Sequence, residues 1–185
     1  MVLSSYFRDS EHQERRPTLI SYVNGDATEP QGDGPKIITH ICNNIGGWGS
    51  GFVVAVSKKW LQPEAAYRAW YKGVQLQNPA LGEIITTSGE FKLGEVQLVQ
   101  VLPDTYVLNM IAQKGMGMLG DVPPIRYGEL DKCLYKARFF AKLLHASVHM
   151  PRIGCGLAGG SWDKVETLVT KNFVDEGVSV TVYDL

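Results

Sequence analysis

The sequence predicts an α/β fold: a three-layer α/β/α sandwich around a mixed, largely parallel central sheet. Three observations predict it. Short β-branched runs alternate with helix-period runs at both ends of the chain, the pattern of parallel strands joined by crossover helices. A meander of strand-like segments fills the middle, which makes the sheet mixed. The 20 glycines among 185 residues gather into GGWGSG (46–51), GMGMLG (115–120) and GCGLAGG (154–160). Glycine-rich loops leaving the carboxyl ends of strands are where open α/β sheets bind ligands.

Each element has its own justification. Residues 1–18 are polar and aperiodic and read as an N-terminal tail or edge extension, leaving 19–185 as one domain. TLISYVNGD begins as a β-rich run and stops at the turn signal Asn24-Gly25-Asp26. PKIITHICN (35–43) is the second strand, with His40 and Asn43 near its end. In FVVAVSKKW, Val53, Val54, Ser57 and Trp60 approximate one helical face, and Pro63 suits the first turn of the next helix, EAAYRAWYKGV. Residues 82–113 are strand-like throughout, broken by Gly94 and by Pro103-Asp104. Over 126–144, Leu130, Cys133, Leu134, Ala137, Phe140, Ala141 and Leu144 recur at spacings of three and four, which predicts a helix. SVHMPRIG is a strand running into the third glycine cluster. Ser161 then stands as N-cap of WDKVETLVTKNFV, with Lys164 where a capping-box acid would be, and VSVTVYDL closes the chain as a strand.

Composition narrows the function classes. Hydrophobic residues make up 44% and charged residues 20%, with a net charge of −1, an ordinary globule and not a surface that grips nucleic acid throughout. No apolar stretch approaches the 18 residues of a membrane span. The first residues carry arginines and acids where a signal peptide needs its apolar run. Cys42, Cys133 and Cys155 show no C-x-x-C spacing, which argues against a disulfide framework and a cysteine zinc site. The four histidines form no H-E-x-x-H, so no metal site is expected. A cytoplasmic, monomeric protein is expected, with no membrane partner.

Two loops carry the chemistry. Gly154, Gly156 and Gly159 spell G-x-G-x-x-G between a strand and a helix, which reads either as an amide cradle for a phosphate or as a tight turn with a flexible lip. The 25 residues after Gly160 (185 − 160) leave no room for a standard dinucleotide fold built on that motif. GGWGSG also leaves a strand and enters a helix. Two such loops on adjacent strand ends would form two amide-lined walls suited to a diphosphate. Within the first, Trp48 either covers a ligand or anchors its loop; Trp60, Trp70 and Trp162 lie on helices and read as packing residues. Cys155 reads as a small buried hydrophobe before a nucleophile, and His40 and His149 as hydrogen-bonded structural residues.

Four segments together, YVNGDAT (22–28), THICNNIGGWGSG (39–51), MPRIGCGLAGGSW (150–162) and TVYDL (181–185), resemble the macrodomain family of ADP-ribose-binding folds over residues 19–185. The likeness is nearest to the branch of terminal ADP-ribose glycohydrolases, ADP-ribose-1″-phosphate phosphatases and DNA-ADP-ribose-removing antitoxins. The resemblance implies ADP-ribose as ligand, with no further cofactor. Asp26, beside Ala27, matches the acceptor of the adenine amino group. Gly49, Ser50, Gly51 and Phe52 match the first phosphate loop, preceded by Trp48. Gly154, Cys155, Gly156, Leu157, Ala158 and Gly159 match the second, and Tyr183 a position beside the adenine.

The same resemblance places Asn43 and Asn44 at the distal ribose, with His40 supporting that shell. The family's glutamate-directed glycohydrolases place a nucleophilic lysine after the strand written here YVLNMIA. Gln113 occupies that place and Lys114 follows it. Where those enzymes carry an aspartate after G-x-G-L, this chain has Ala158. The implied activity is removal of ADP-ribose from a protein glutamate or aspartate ester. ADP-ribose-1″-phosphate, ADP-ribosylated DNA and non-catalytic reading are the alternatives. Substrate positioning is expected over a lysine adduct, and ADP-ribosylated protein over nucleic acid as partner.

Overall fold

A computed structural model describes residues 19–74 and 85–185; the N-terminal tail expected over 1–18 lies outside them. Among these residues the chain forms β1 (Ile20–Asn24), β2 (Lys36–Asn43), α1 (Phe52–Lys59), α2 (Gln62–Tyr71), β3 (Ile85–Thr87), β4 (Val96–Leu102), β5 (Thr105–Gln113), α3 (Tyr127–Leu144), β6 (Ser147–Pro151), α4 (Trp162–Asn172) and β7 (Val180–Asp184). The strands make one sheet in the order β1-β7-β6-β2-β5-β4-β3. The β1–β7, β7–β6, β6–β2 and β2–β5 pairs are parallel, and β4 runs antiparallel to both β5 and β3. The sheet is therefore mixed and largely parallel, as predicted.

Both faces of the sheet are covered, which explains the near-continuous apolar runs of the central strands. Ile37 and Leu108, with Met110, Val148 and Val182, meet α3 and α4 on one face. Ile38 and Val107 meet Val56 of α1 on the other. The α3 stripe is buried as its spacing demands, from Leu130 through Ala141, while Leu144 is partly buried against the same cluster. The helix ends at His145, left-handed at φ 51°.

Three local expectations change. Val56, not Val54, is the buried partner of Val53 in α1, because β2 and β5 meet that helix one position round from the predicted face; Val54 faces solvent. The strand-like middle is interrupted over Ser88–Glu95, between β3 and β4, not at Gly94 alone. Ser161 occupies the N-cap position of α4 with extended backbone, but its side chain makes no capping bond; its N–H instead donates to the Tyr127 hydroxyl at 2.9 Å. Pro63 sits in the first turn of α2, where its missing N–H costs nothing.

Candidate functional site

The chain leaves β2 toward α1 on one face of the sheet and leaves β6 toward α4 on the other. Since β2 and β6 are neighbours, their exits diverge and open a crevice at the carboxyl end of the sheet. The two strand-end glycine loops are its walls. The cleft measures about 270 Å³ and runs between Asn43–Val53 and Pro151–Ala158, floored by His40 and bounded by Gln113 and Met116. Its narrowness has two sources. Leu157 of the second loop reaches to 3.4 Å of a Cβ built at Gly51, and Met116 packs so closely on Gly47 that a Cβ there would collide with the sulfur. Another hollow, lined by Asp33, Lys142, His145 and Glu176, lies at the opposite end of the strands, away from both loops.

The first loop is held from within by Asn43. Its Oδ1 accepts from Ile45 N (3.1 Å), Gly47 N (2.9 Å) and the Tyr67 hydroxyl (3.0 Å), and its Nδ2 donates to Gly47 O (2.7 Å). Asn43 borders the cleft, but its carboxamide is largely committed to shaping the loop. Asn44 Oδ1 accepts from Gly115 N at 2.9 Å, tying the first loop to the segment after β5. Gln113 donates to Gly115 O in the same segment and lines the cleft. That segment is a small hairpin, bridged at Gln113–Ile125 and again at Leu119–Val122. Lys114 lies at its base, exposed, its N–H donating to Pro124 O. The Lys114 side chain is outside the set that lines the cleft.

His40 sits on the floor, 2% exposed. Asn109 donates its Nδ2 to Pro63 O and Gln97 Oε1, so its Oδ1 faces His40 and must accept from Nε2–H at 2.6 Å. That leaves the lone pair on Nδ1, 3.8 Å from the Cys42 sulfur. Burial lowers its pKa to about 4, so His40 is neutral at physiological pH and supports the floor as a fixed tautomer. Trp48 stands edge-on to it at 5.4 Å. Burial raises the Cys155 thiol, and its Sγ lies 3.4 Å from Ile153 O. Cys155 is therefore a protonated thiol and a poor nucleophile. Ala158 is buried, and its carbonyl accepts from Ile125 N.

Asp26 follows β1 on the same carboxyl-end rim, two strands from β6. Its Oδ1 accepts from Thr28 N at 2.8 Å, a local turn that leaves Oδ2 without a partner among the described residues. Ala27 is buried behind it. Tyr183 lies beneath this turn, 3% exposed, its ring 3.6 Å from a Cβ built at Gly25. Its hydroxyl accepts from Gln31 N (3.0 Å) and meets His149 Nδ1 at 2.9 Å. Tyr183 thus props the Asp26 loop from below and does not line the cleft. His149, whose other nitrogen meets Ser147 Oγ, has its pKa lowered to about 4 by burial and then by Lys36.

One cluster escaped the sequence reading. Arg152, just past β6, lines the cleft and grips Asp184 through Nε (2.6 Å) and Nη2 (2.8 Å). Its guanidinium lies over the rings of Tyr22 (5.3 Å) and Trp162 (5.2 Å). The only local signal was a charged residue set between a strand and its glycine cluster. Its three partners come from β1, α4 and β7, and no spacing in the sequence links them.

Fold and site together define a doubly wound α/β domain whose cleft is walled by two glycine loops. No protein-family model matches the sequence. A solved protein of unknown function from Bacteroides thetaiotaomicron is 48% identical with TM-score 0.82, the match covering 92% of this chain and 100% of that one. A macrodomain protein from Streptomyces coelicolor is also 48% identical, with TM-score 0.74, over 90% of this chain and 99% of its own. The chain belongs to the macrodomain family.

Two curated relatives are several times longer than this chain. Chromodomain-helicase-DNA-binding protein 1-like from Danio rerio is 30% identical over 177 residues, 95% of this chain but 16% of that protein. The mouse protein of that name is 26% identical, and this chain spans 18% of it. A DarTG from Thermosipho africanus, solved in complex with ADP-ribose, shares the fold at 17% identity and TM-score 0.57, over 80% of this chain and 37% of its own.

Proposed function

We propose that the cleft binds ADP-ribose and that the protein removes ADP-ribose from modified substrates, foremost the ester to a protein glutamate or aspartate. The observation that carries this reading is the pair of glycine loops facing each other across the β2/β6 crevice, in a chain 48% identical to a macrodomain protein over nearly its whole length. A diphosphate laid between Gly49–Gly51 and Gly154–Gly159 meets backbone amides on both sides. Strands lie about 4.8 Å apart, so Asp26, two strands beyond β6, stands about 10 Å along the rim. That is within reach of an adenine attached to the diphosphate through its ribose. The unpartnered Oδ2 of Asp26 suits the exocyclic amine, a donor.

Asp26→Ala removes that acceptor while leaving the cleft untouched. ADP-ribose binding, read by calorimetric titration, is expected to weaken by about 1–3 kcal/mol. Unchanged affinity would remove Asp26 from the site, and wild-type protein that fails to bind at millimolar ligand would remove the reading itself.

For catalysis we favour substrate positioning over a lysine adduct. Water attacks the anomeric carbon of the distal ribose and the bond to the ester oxygen breaks. A carboxylate, a good leaving group, departs with the bonding pair, and the attacking water gives up its proton to solvent. The diphosphate grip fixes the ribose, so proximity carries much of the barrier reduction. Two observations support this choice: the exposed Lys114 outside the cleft lining, and Ala158 where an acid would act. Lys114→Ala is expected to retain turnover. Asn44→Ala, which unties the Gly115 hairpin from the ribose end, is expected to lose it. Borohydride trapping of a Lys114 adduct during turnover would overturn the positioning mechanism. A non-catalytic reader is the second reading, favoured by that same Ala158. Intact ADP-ribose binding with no product from glutamate-ADP-ribosylated protein, ADP-ribose-1″-phosphate or ADP-ribosylated DNA would establish it.

A further inference from the structure

We propose that Arg68, through Glu64 and Ser57, is a positioning residue that aims the first glycine loop into the cleft; this deepens the ADP-ribose reading and rests on it. The bonds form a closed ring that begins and ends at Trp48. The indole Nε1–H donates to Ser57 Oγ at 2.8 Å, and Ser57 donates to Glu64 Oε2 at 2.9 Å. Glu64 Oε1 accepts from Arg68 Nε at 2.9 Å and pairs ionically with Nη2 at 2.8 Å. Arg68 then donates from Nη2 to Trp48 O at 3.0 Å and from Nη1 to Gly46 O at 3.3 Å. One guanidinium therefore holds two loop carbonyls, and the ring holds both the side chain and the backbone of Trp48.

The consequence follows from peptide geometry. In a planar trans peptide the C=O and the following N–H point in opposite directions. Arg68 pulls the Gly46 carbonyl toward α2, and the next N–H, of Gly47, points the other way and donates to Asn43 Oδ1. The same pull on the Trp48 carbonyl turns the Gly49 N–H away from α2. That N–H has no partner among the described residues, and Gly49 lines the cleft. A donor freed in this way is what a phosphate oxygen needs.

The indole is fixed along with it, edge-on to His40 at 5.4 Å and tilted against Tyr67 at 5.4 Å. Arg68 and Glu64, four residues apart on α2, are outside the set of residues that lines the cleft. A lysine cannot replace the arginine, because a single ammonium cannot span two carbonyls and a carboxylate in fork geometry.

The test compares Arg68→Ala, Arg68→Lys and Ser57→Ala with wild type, each checked for an unchanged melting temperature within a few degrees. ADP-ribose is expected to bind Arg68→Ala at least tenfold more weakly, while AMP, which engages the Asp26 end, changes by less than twofold. Arg68→Lys is expected to resemble Arg68→Ala. In ¹H–¹⁵N spectra the Trp48 indole resonance moves in Ser57→Ala and Arg68→Ala while those of Trp60, Trp70 and Trp162 stay. Amide exchange at Gly47, whose N–H is held by Asn43 Oδ1, quickens in Arg68→Ala. Equal losses for ADP-ribose and AMP, unchanged ADP-ribose affinity, or unchanged exchange at Gly47 would overturn the proposal. Wild-type protein that binds neither nucleotide would instead overturn the cleft reading, with the Gly47 exchange and the indole readouts still judging the ring.

Discussion

Gly156→Glu is expected to leave the fold standing and to lower ADP-ribose affinity at least about a hundredfold, close to 3 kcal/mol. Gly156 is exposed on the second loop, lines the cleft, and is absent from the glycines with positive φ. A Cβ built there meets no atom within 4 Å, so a side chain enters the open space of the cleft. Glutamate fills that space and sets a carboxylate against the diphosphate, in a cleft already only about 270 Å³ in volume. Calorimetric titration reads the affinity, and a thermal melt beside wild type reads the fold. Retained tight binding by a folded Gly156→Glu protein would mean that the diphosphate does not pass between the loops.

Gly154→Val, two residues earlier, is expected to do the opposite: to cost the fold about 2–5 kcal/mol. Its φ of +74° lies in the left-handed region that a β-branched residue enters only at a cost of roughly 1–2 kcal/mol. Its Cβ would also stand 2.5 Å from Ile125 Cδ1 and 2.9 Å from Ile41 Cδ1. Both isoleucines pack with the core on the α3/α4 face, so neither moves freely, and overpacking adds about 1–3 kcal/mol. Chemical denaturation measures the loss as a lowered midpoint. A midpoint equal to wild type would show that the loop takes another path in solution. The two glycines of one motif thus separate: Gly154 shapes the turn, and Gly156 keeps the space clear.

Much of this was legible from the residues. The α3 stripe needed only its spacing, since one face of a long helix must be buried whatever it meets. The strand end at Asn24-Gly25-Asp26 was marked by turn chemistry. The glycine loops were marked by composition, because left-handed φ at Gly51, Gly154 and Gly159 is a backbone requirement written in residue type. The motifs of the loops and of the Asp26 turn carried the family resemblance, which the solved macrodomain structure supports at 48% identity.

Other features needed the fold. Whether Val54 or Val56 faced inward depended on how α1 sits over β2 and β5. That the loop after Asn43 folds back onto its carboxamide depended on where Ile45 and Gly47 come to lie. That the Tyr183 hydroxyl meets Gln31 N and His149 depended on the packing of β7 against β6 and the Asp26 loop.

The sequence by itself determined the class of fold, the helical stripe of α3, and the two loops that wall the cleft. These depend on backbone conformations and on periodicities that act within a few residues. Only the tertiary structure decided that β6 lies beside β2, that Lys114 stands outside the cleft, and that Arg68 reaches back to Trp48 and Gly46. Those outcomes depend on which distant groups meet once both faces of the sheet are covered. A buried donor or acceptor takes whichever partner the packing brings within 3 Å, and nothing in the local pattern says which one that will be.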